Sequence, residues 1–272
     1  MKKYIILLIL TISAFAKVNV AVSIPPQEYI LEQIAPNLVD TEVVVKPGNS
    51  PHTYEPKPSQ MIALSKAKIY FAIGVEFEDS WLPKFKAQNS NLLIVHTDKN
   101  ITKFPITSKE EAGELDPHIW LSPKNLKVIA KNMADALIKV DANHTKEYKD
   151  NLNKFIANLD NLDKEIKEKL SKLKNRNFLI FHPSWGYFAK DYNLKQIAVE
   201  IKGKEPSAKE LISVMKLAKK TGVKVIFTQP EFSQKSANLI AKELGIKVVK
   251  VSPLTKDIIK NISNFANVLA GE

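Results

Sequence analysis

Cysteine is absent from the 272 residues. That excludes stapling disulfides, a cysteine nucleophile and the thiol that a lipid anchor would need. Arginine is almost absent too, since Arg176 stands alone among 40 basic residues. Readers of base edges rely on arginine forks, so the formal charge of +11 does not point to nucleic acid. It reads as lysine spread over solvated helix faces, with at most an attraction to acidic surfaces. Glycine occurs only 8 times, which leaves little scope for a phosphate-cradling loop. Neither a Gly-x-Ser-x-Gly elbow nor an HExxH pair occurs. Beyond residue 16 no apolar run approaches the roughly 20 residues needed to span a bilayer.

The start of the chain has the three parts of an export leader. Lys2 and Lys3 supply charge, Tyr4 to Ile12 an apolar run, and Ala14-Phe15-Ala16 a small-x-small cleavage site. The mature protein is expected to begin near Lys17 and to float free in the periplasm. With 44% hydrophobic residues the remainder can bury a core without covalent help.

Short apolar runs alternate with amphipathic ones. VNVAVS (18–23), TEVVV (41–45), IYFAI (69–73) and LLIVH (92–96) read as strands, rich in branched or aromatic residues. Helical patterns lie between them at 26–34 and at 59–66, the second with Ser59 as its expected N-cap. The rhythm returns after residue 174. Strands are expected at 178–182, 196–200, 223–228 and 247–251, with helices at 207–220 and 234–244. Such alternation implies an α/β fold of mostly parallel sheets flanked by helices. Between the halves, a helix is expected at 122–140. A second, at 143–173, has neither Gly nor Pro and carries Tyr148, Leu152, Phe155, Leu159, Leu162, Ile166, Leu170 and Leu173 as one stripe. About 28 helical residues at 1.5 Å each would reach about 42 Å, a strut along two lobes. The expected division is a leader at 1–16, lobes at 17–142 and 175–272, and a linking helix at 143–174.

Five histidines occur. His144 reads as a surface or capping residue, and His96 as a half-buried strand end. His52, His118 and His182 share another setting, beside proline in the irregular stretches NSPHTYEP, ELDPHIWLSP and FHPSWGYF. Proline restricts the backbone on which each imidazole is mounted. Tyr54, Trp120, Trp185 and Tyr187 are candidates to wall a shared site. His182 also stands where a strand stops, the edge at which ligands collect in open α/β sheets. Three such segments, far apart in sequence, point to one convergent site.

NSPHTYEPKPSQM, ELDPHIWLSPKN, FHPSWGYFAKDY and VIFTQPEFS resemble, in order, blocks of the metal-binding proteins of bacterial ABC importers, above all the zinc-type branch. The resemblance runs from about Lys17 to the C-terminus. It implies two α/β lobes on a rigid linking helix, a metal between them, delivery to a membrane permease, and His52, His118 and His182 as ligands. In manganese-type relatives the third block begins with glutamate and the fourth supplies aspartate, where this chain has His182 and Ser233. The His-rich loop of many zinc-type relatives is reduced here to KEEAGELDPH (109–118).

Ligand chemistry favours zinc independently, because imidazole suits it whereas manganese prefers carboxylate and water. A tetrahedral zinc on three histidines keeps one position open, for water or for Glu231. Asp116 or Glu55 could orient an imidazole from behind. Three histidines and a water is also a hydrolytic layout, so a secreted zinc hydrolase is one alternative, and a metal-binding adhesin another. The expected protein is a monomer, not an enzyme, with Zn2+ as its transported ligand.

Overall fold

A computed structural model describes residues 17–46, 48–106, 114–200, 204–232 and 234–271. The expected leader, Ser233 and residues 109–113 of the acidic stretch lie outside the described residues. The first lobe runs β1 (Val18–Val22), α1 (Pro25–Ile34), β2 (Val39–Val43), α2 (Pro58–Lys66), β3 (Ile69–Ala72), α3 (Phe77–Gln88) and β4 (Leu93–His96). Then come α4 (Pro123–Val140) and α5 (Thr145–Ser171). The second lobe runs β5 (Asn177–Ile180), α6 (Gly186–Asp191), β6 (Lys195–Ala198), α7 (Ala208–Thr221), β7 (Val225–Thr228), α8 (Lys235–Leu244), β8 (Lys247–Lys250) and α9 (Ile258–Ala270).

The strands form two sheets with orders β2-β1-β3-β4 and β6-β5-β7-β8, and every ladder in them is parallel. Each sheet therefore gathers its strands' carboxyl ends along one edge, where its loops can converge. The expected strands and helices are present, their ends shifted by a few residues. Ser59 does not cap α2: Lys57 holds that position, Pro58 is the first helical residue, and Ser59 lies inside the first turn. Pro suits that first turn because its missing N–H would have no helical partner there. Three helices, α3, α6 and α9, have no counterpart in the patterns above; α6 is too short for periodicity to speak, and α3 carries Pro83.

The long helix is 27 residues, about 40 Å. Tyr148, Phe155, Leu159, Leu162, Ile166 and Leu170 are buried along it, while Leu152, and Leu173 just past its end, are partly so. Its neighbours are α4, α1 and α9. Thus α9, last in the chain, packs on the strut rather than finishing the second lobe by itself.

Side-chain alternation divides the second sheet. Phe178, Ile180 and Phe227 face a core continuous with the first lobe, α4, α5 and α9. Leu179, Phe181 and Ile226 face a smaller core that includes Ala218 of α7 and Ile240 of α8. Polar ties cross between the lobes as well. The Trp120 indole N–H donates to the Pro253 carbonyl (2.7 Å), and the Tyr187 hydroxyl to the Asp116 carbonyl (2.8 Å). Lys256 meets Glu28 and Glu32 of α1.

Candidate metal centre

The structure brings His52, His118 and His182 together, with one ligand nitrogen from each lying within 4.8 Å of the others. His182 stands two residues past β5. Its backbone is gripped on both sides by Gln229, just past β7: the side-chain oxygen accepts from His182 N (3.1 Å) and the amide donates to His182 O (2.9 Å). His118 follows Pro117 at the head of a 3₁₀ turn, Ile119–Leu121, that leads into α4. His52 comes from the connection between β2 and α2.

The Nε2 atoms of His118 and His182 are 3.2 Å apart. Two nitrogens bound at about 2.0–2.1 Å to one tetrahedral ion would be separated by about 3.3–3.4 Å, so the spacing is that of a tetrahedral edge.

Behind each ring stands a carboxylate. Nδ1 of His118 is 2.8 Å from Asp116, that of His182 is 2.5 Å from Glu200, and that of His52 is 3.0 Å from Glu76. Each carboxylate favours the tautomer with its proton on Nδ1 and leaves Nε2 as the donor of a lone pair. Burial also pushes the His182 imidazole down from its ordinary pKa, against the pull of Glu200 and with help from the neighbouring His118 and His52. Its neutral, metal-binding form is thereby favoured. Burial would raise Glu76, but the hydrogen bond and charge of His52 bring it down to about 2.

Gly186 makes the Asp116 contact possible. A Cβ at that position would lie 2.6 Å from an Asp116 carboxylate oxygen. Asp116 is fixed further because its N–H donates to Phe104 O (2.8 Å).

Several expectations are corrected by these contacts. Glu55 is exposed, and the carboxylates behind His52 and His182 are Glu76 and Glu200. Glu231 stands outside the clustered ligand atoms and accepts from the Ser252 hydroxyl (2.7 Å). Trp120 does border the site, 5.3 Å from His118 between ring centroids. Trp185 instead stacks on Phe265 in the core (3.7 Å), and Tyr54 packs on Phe77. The ring lying on His182 is Phe232, stacked at 4.8 Å. The His96 side chain is 62% exposed, not half-buried, because β4 is the sheet's edge strand. His144 sits at the cap position of α5 but makes no side-chain cap bond; its Nδ1 is 2.7 Å from Asp141. Neither belongs to the cluster.

A signal for Glu200 was present in the sequence. In the parallel register Ile180 pairs with Ala198, so two further residues along each strand bring His182 beside Glu200. Glu76 gives a weaker signal, as one of three acids in VEFED just past β3.

A family model described as the periplasmic zinc-uptake complex component A, ZnuA, matches residues 20–270. The zinc-binding protein AdcA of Streptococcus pyogenes serotype M3 is 30% identical over 93% of this chain. The match covers 56% of that relative, so the chain spans about half its length. Among solved structures, a crystal structure of ZnuA is 42% identical with a TM-score of 0.90, over 94% of this chain and 99% of that one. A ZnuA deletion mutant with zinc bound matches with 42% identity and a TM-score of 0.88, over 94% and 97%. Agreement in sequence along almost the whole chain, joined to the same two-lobed fold, makes this chain a member of the ZnuA family of periplasmic zinc-uptake components.

Proposed function

We propose that His52, His118 and His182 hold one Zn2+ ion as cargo, with water at the fourth position, and that the protein delivers the ion to an ABC-type permease. The observation that carries this reading is the set of three imidazoles, each with a carboxylate at Nδ1 and each ring in contact with the other two. Three neutral nitrogens make a donor set for zinc rather than for manganese or calcium. The polar ties between lobes and the α5–α9 packing favour a carrier that presents its ion without wide hinge motion. On this reading the mature protein is a monomer in the periplasm, freed of residues 1–16 near Ala16. Its lobes are 17–142 and 175–272, linked by 143–174.

Metal analysis of the purified mature protein, followed by competitive titration, tests the proposal. One zinc per chain and much weaker manganese binding are expected; a preference for manganese would overturn it. Cells lacking the protein should grow poorly when zinc is scarce and recover when zinc is added.

A further inference from the structure

The three imidazoles are held very differently. The His118 and His182 side chains are 5% and 6% exposed, and their carboxylates Asp116 and Glu200 are 1% exposed. The His182 backbone is fixed at the carboxyl edge of the second sheet and that of His118 at the head of the 3₁₀ turn leading into α4, and their Nε2 atoms already stand at the tetrahedral edge. His52 rides on the connection between β2 and α2, whose residues 48–57 include neither helix nor strand. Its side chain is 34% exposed, and that of its partner Glu76 is 45% exposed. Two residues further, the Tyr54 ring packs edge-on against Phe77, the residue after Glu76, and its hydroxyl donates to Gln60 (2.9 Å). The start of α3 therefore docks this stretch twice, by Glu76 on His52 and by Phe77 on Tyr54.

We infer that Glu76 is the positioning residue of a capture arm: the ion lands first on the buried His118–His182 pair, His52 then closes over it, and Glu76 sets how slowly it leaves. This rests on the reading of the three histidines as zinc ligands. Two buried nitrogens at tetrahedral spacing can accept an ion without moving, whereas the third, gathered within 4.8 Å of them here, stands on a partly solvated loop that can open and close. The Glu76 carboxylate holds the His52 proton on Nδ1 and limits ring rotation, so its removal lets the closed arm reopen. Because closure follows encounter, the effect falls on departure rather than arrival.

Stopped-flow release of zinc to a chromogenic chelator, from the full mature chain, tests this. Removing a carboxylate behind a ligand histidine typically weakens metal binding about 10–100-fold. Glu76→Ala should release zinc roughly 10-fold faster, the low end suiting its exposure, with the association rate within about twofold of wild type. Glu76→Gln should recover much of the loss, since its amide oxygen still accepts from Nδ1–H. In a His52→Ala background the Glu76→Ala effect should vanish, a coupling that a merely structural role would not show. Unchanged release in Glu76→Ala, an equal effect with and without His52, or an association rate that falls as far as release rises would each overturn the inference. Should wild type itself fail to bind zinc, the ligand reading falls with it; tight wild-type binding with an indifferent Glu76 sinks the arm alone.

Discussion

The two lobes share a strand order and an all-parallel sheet, yet they are bodies of different kinds. Both faces of the first sheet join one large core. That core also takes in α4, α5, α9 and the inner face of the second sheet, with Trp120, Trp185, Phe178, Phe188, Phe227 and Phe265 packed inside it. The outer face of the second sheet has only a small core beneath α7 and α8, where Ile212, Leu217 and Leu239 remain exposed. Topology alone does not assign strength. The inner layer is braced by the strut, and His182 stands at its edge; the outer layer is free to be soft.

The largest effect should come from cutting into the shared core. Phe265 stacks on Trp185 and meets Phe178, Phe188 and Phe227. Phe265→Ala should cost about 3–5 kcal/mol of unfolding free energy, and Leu239→Ala less than about 0.5, in urea titrations. Equal costs would erase the distinction between inner and outer layers. Next come the histidines. His118→Ala and His182→Ala should each weaken zinc binding by on the order of 100-fold or more, equivalent to about 3 kcal/mol. His96→Ala and His144→Ala should leave it unchanged, and competitive titration will tell.

The lobes also bury titratable groups of opposite behaviour, which sharpens the comparison through pH. Glu78 in the first lobe is raised to about 7, chiefly by burial and despite hydrogen bonds from Ser23, Ile73 and Gly74. Between its ordinary value of 4.5 and about 7 the folded chain holds a proton that the unfolded chain has released. Its contribution therefore falls as pH rises through that window, on the order of 1–3 kcal/mol. His182 in the second lobe is lowered, so below about 6.5 the unfolded chain gains the proton and stability falls as pH drops. In metal-free protein, Glu78→Gln and His182→Gln should each flatten one of these opposing slopes; two changes of the same sign would contradict the assignment.

How much of this was visible in the residues follows from range. Strands and the long helix announce themselves through local periodicity, and the four prolines at 51, 117, 123 and 183 mark the loops that carry the histidines. The choice of His52, His118 and His182 over His96 and His144 used that same local context. Helix α9 escaped notice because its pattern, buried on α5, looks like any terminal apolar run. Glu76 stands 24 residues from His52 in sequence, and Glu200 stands 18 from His182. Their pairing depends on how loops converge at two sheet edges, which the register of β5 on β6 reveals and composition does not. Phe232 and Gln229 are legible only once β7 is known to lie beside β5.

The smallest change with a definite outcome concerns Gly186, where the lobes meet behind His118. Its backbone belongs to the second lobe, while the atom a new Cβ would strike, 2.6 Å away, is a carboxylate oxygen of Asp116 in the first. That oxygen has little room to retreat, because Asp116 is buried and held through its backbone by Phe104 and Tyr187. Gly186→Ala should therefore displace the carboxylate from His118 Nδ1 and weaken zinc binding by about 10-fold, as loss of that partner would. Asp116→Asn should weaken binding to a similar degree, and the two changes together should cost little more than either one, since both act through one contact. Independent, multiplying losses would mean that the lobes touch at this point without the contact reaching the His118 imidazole.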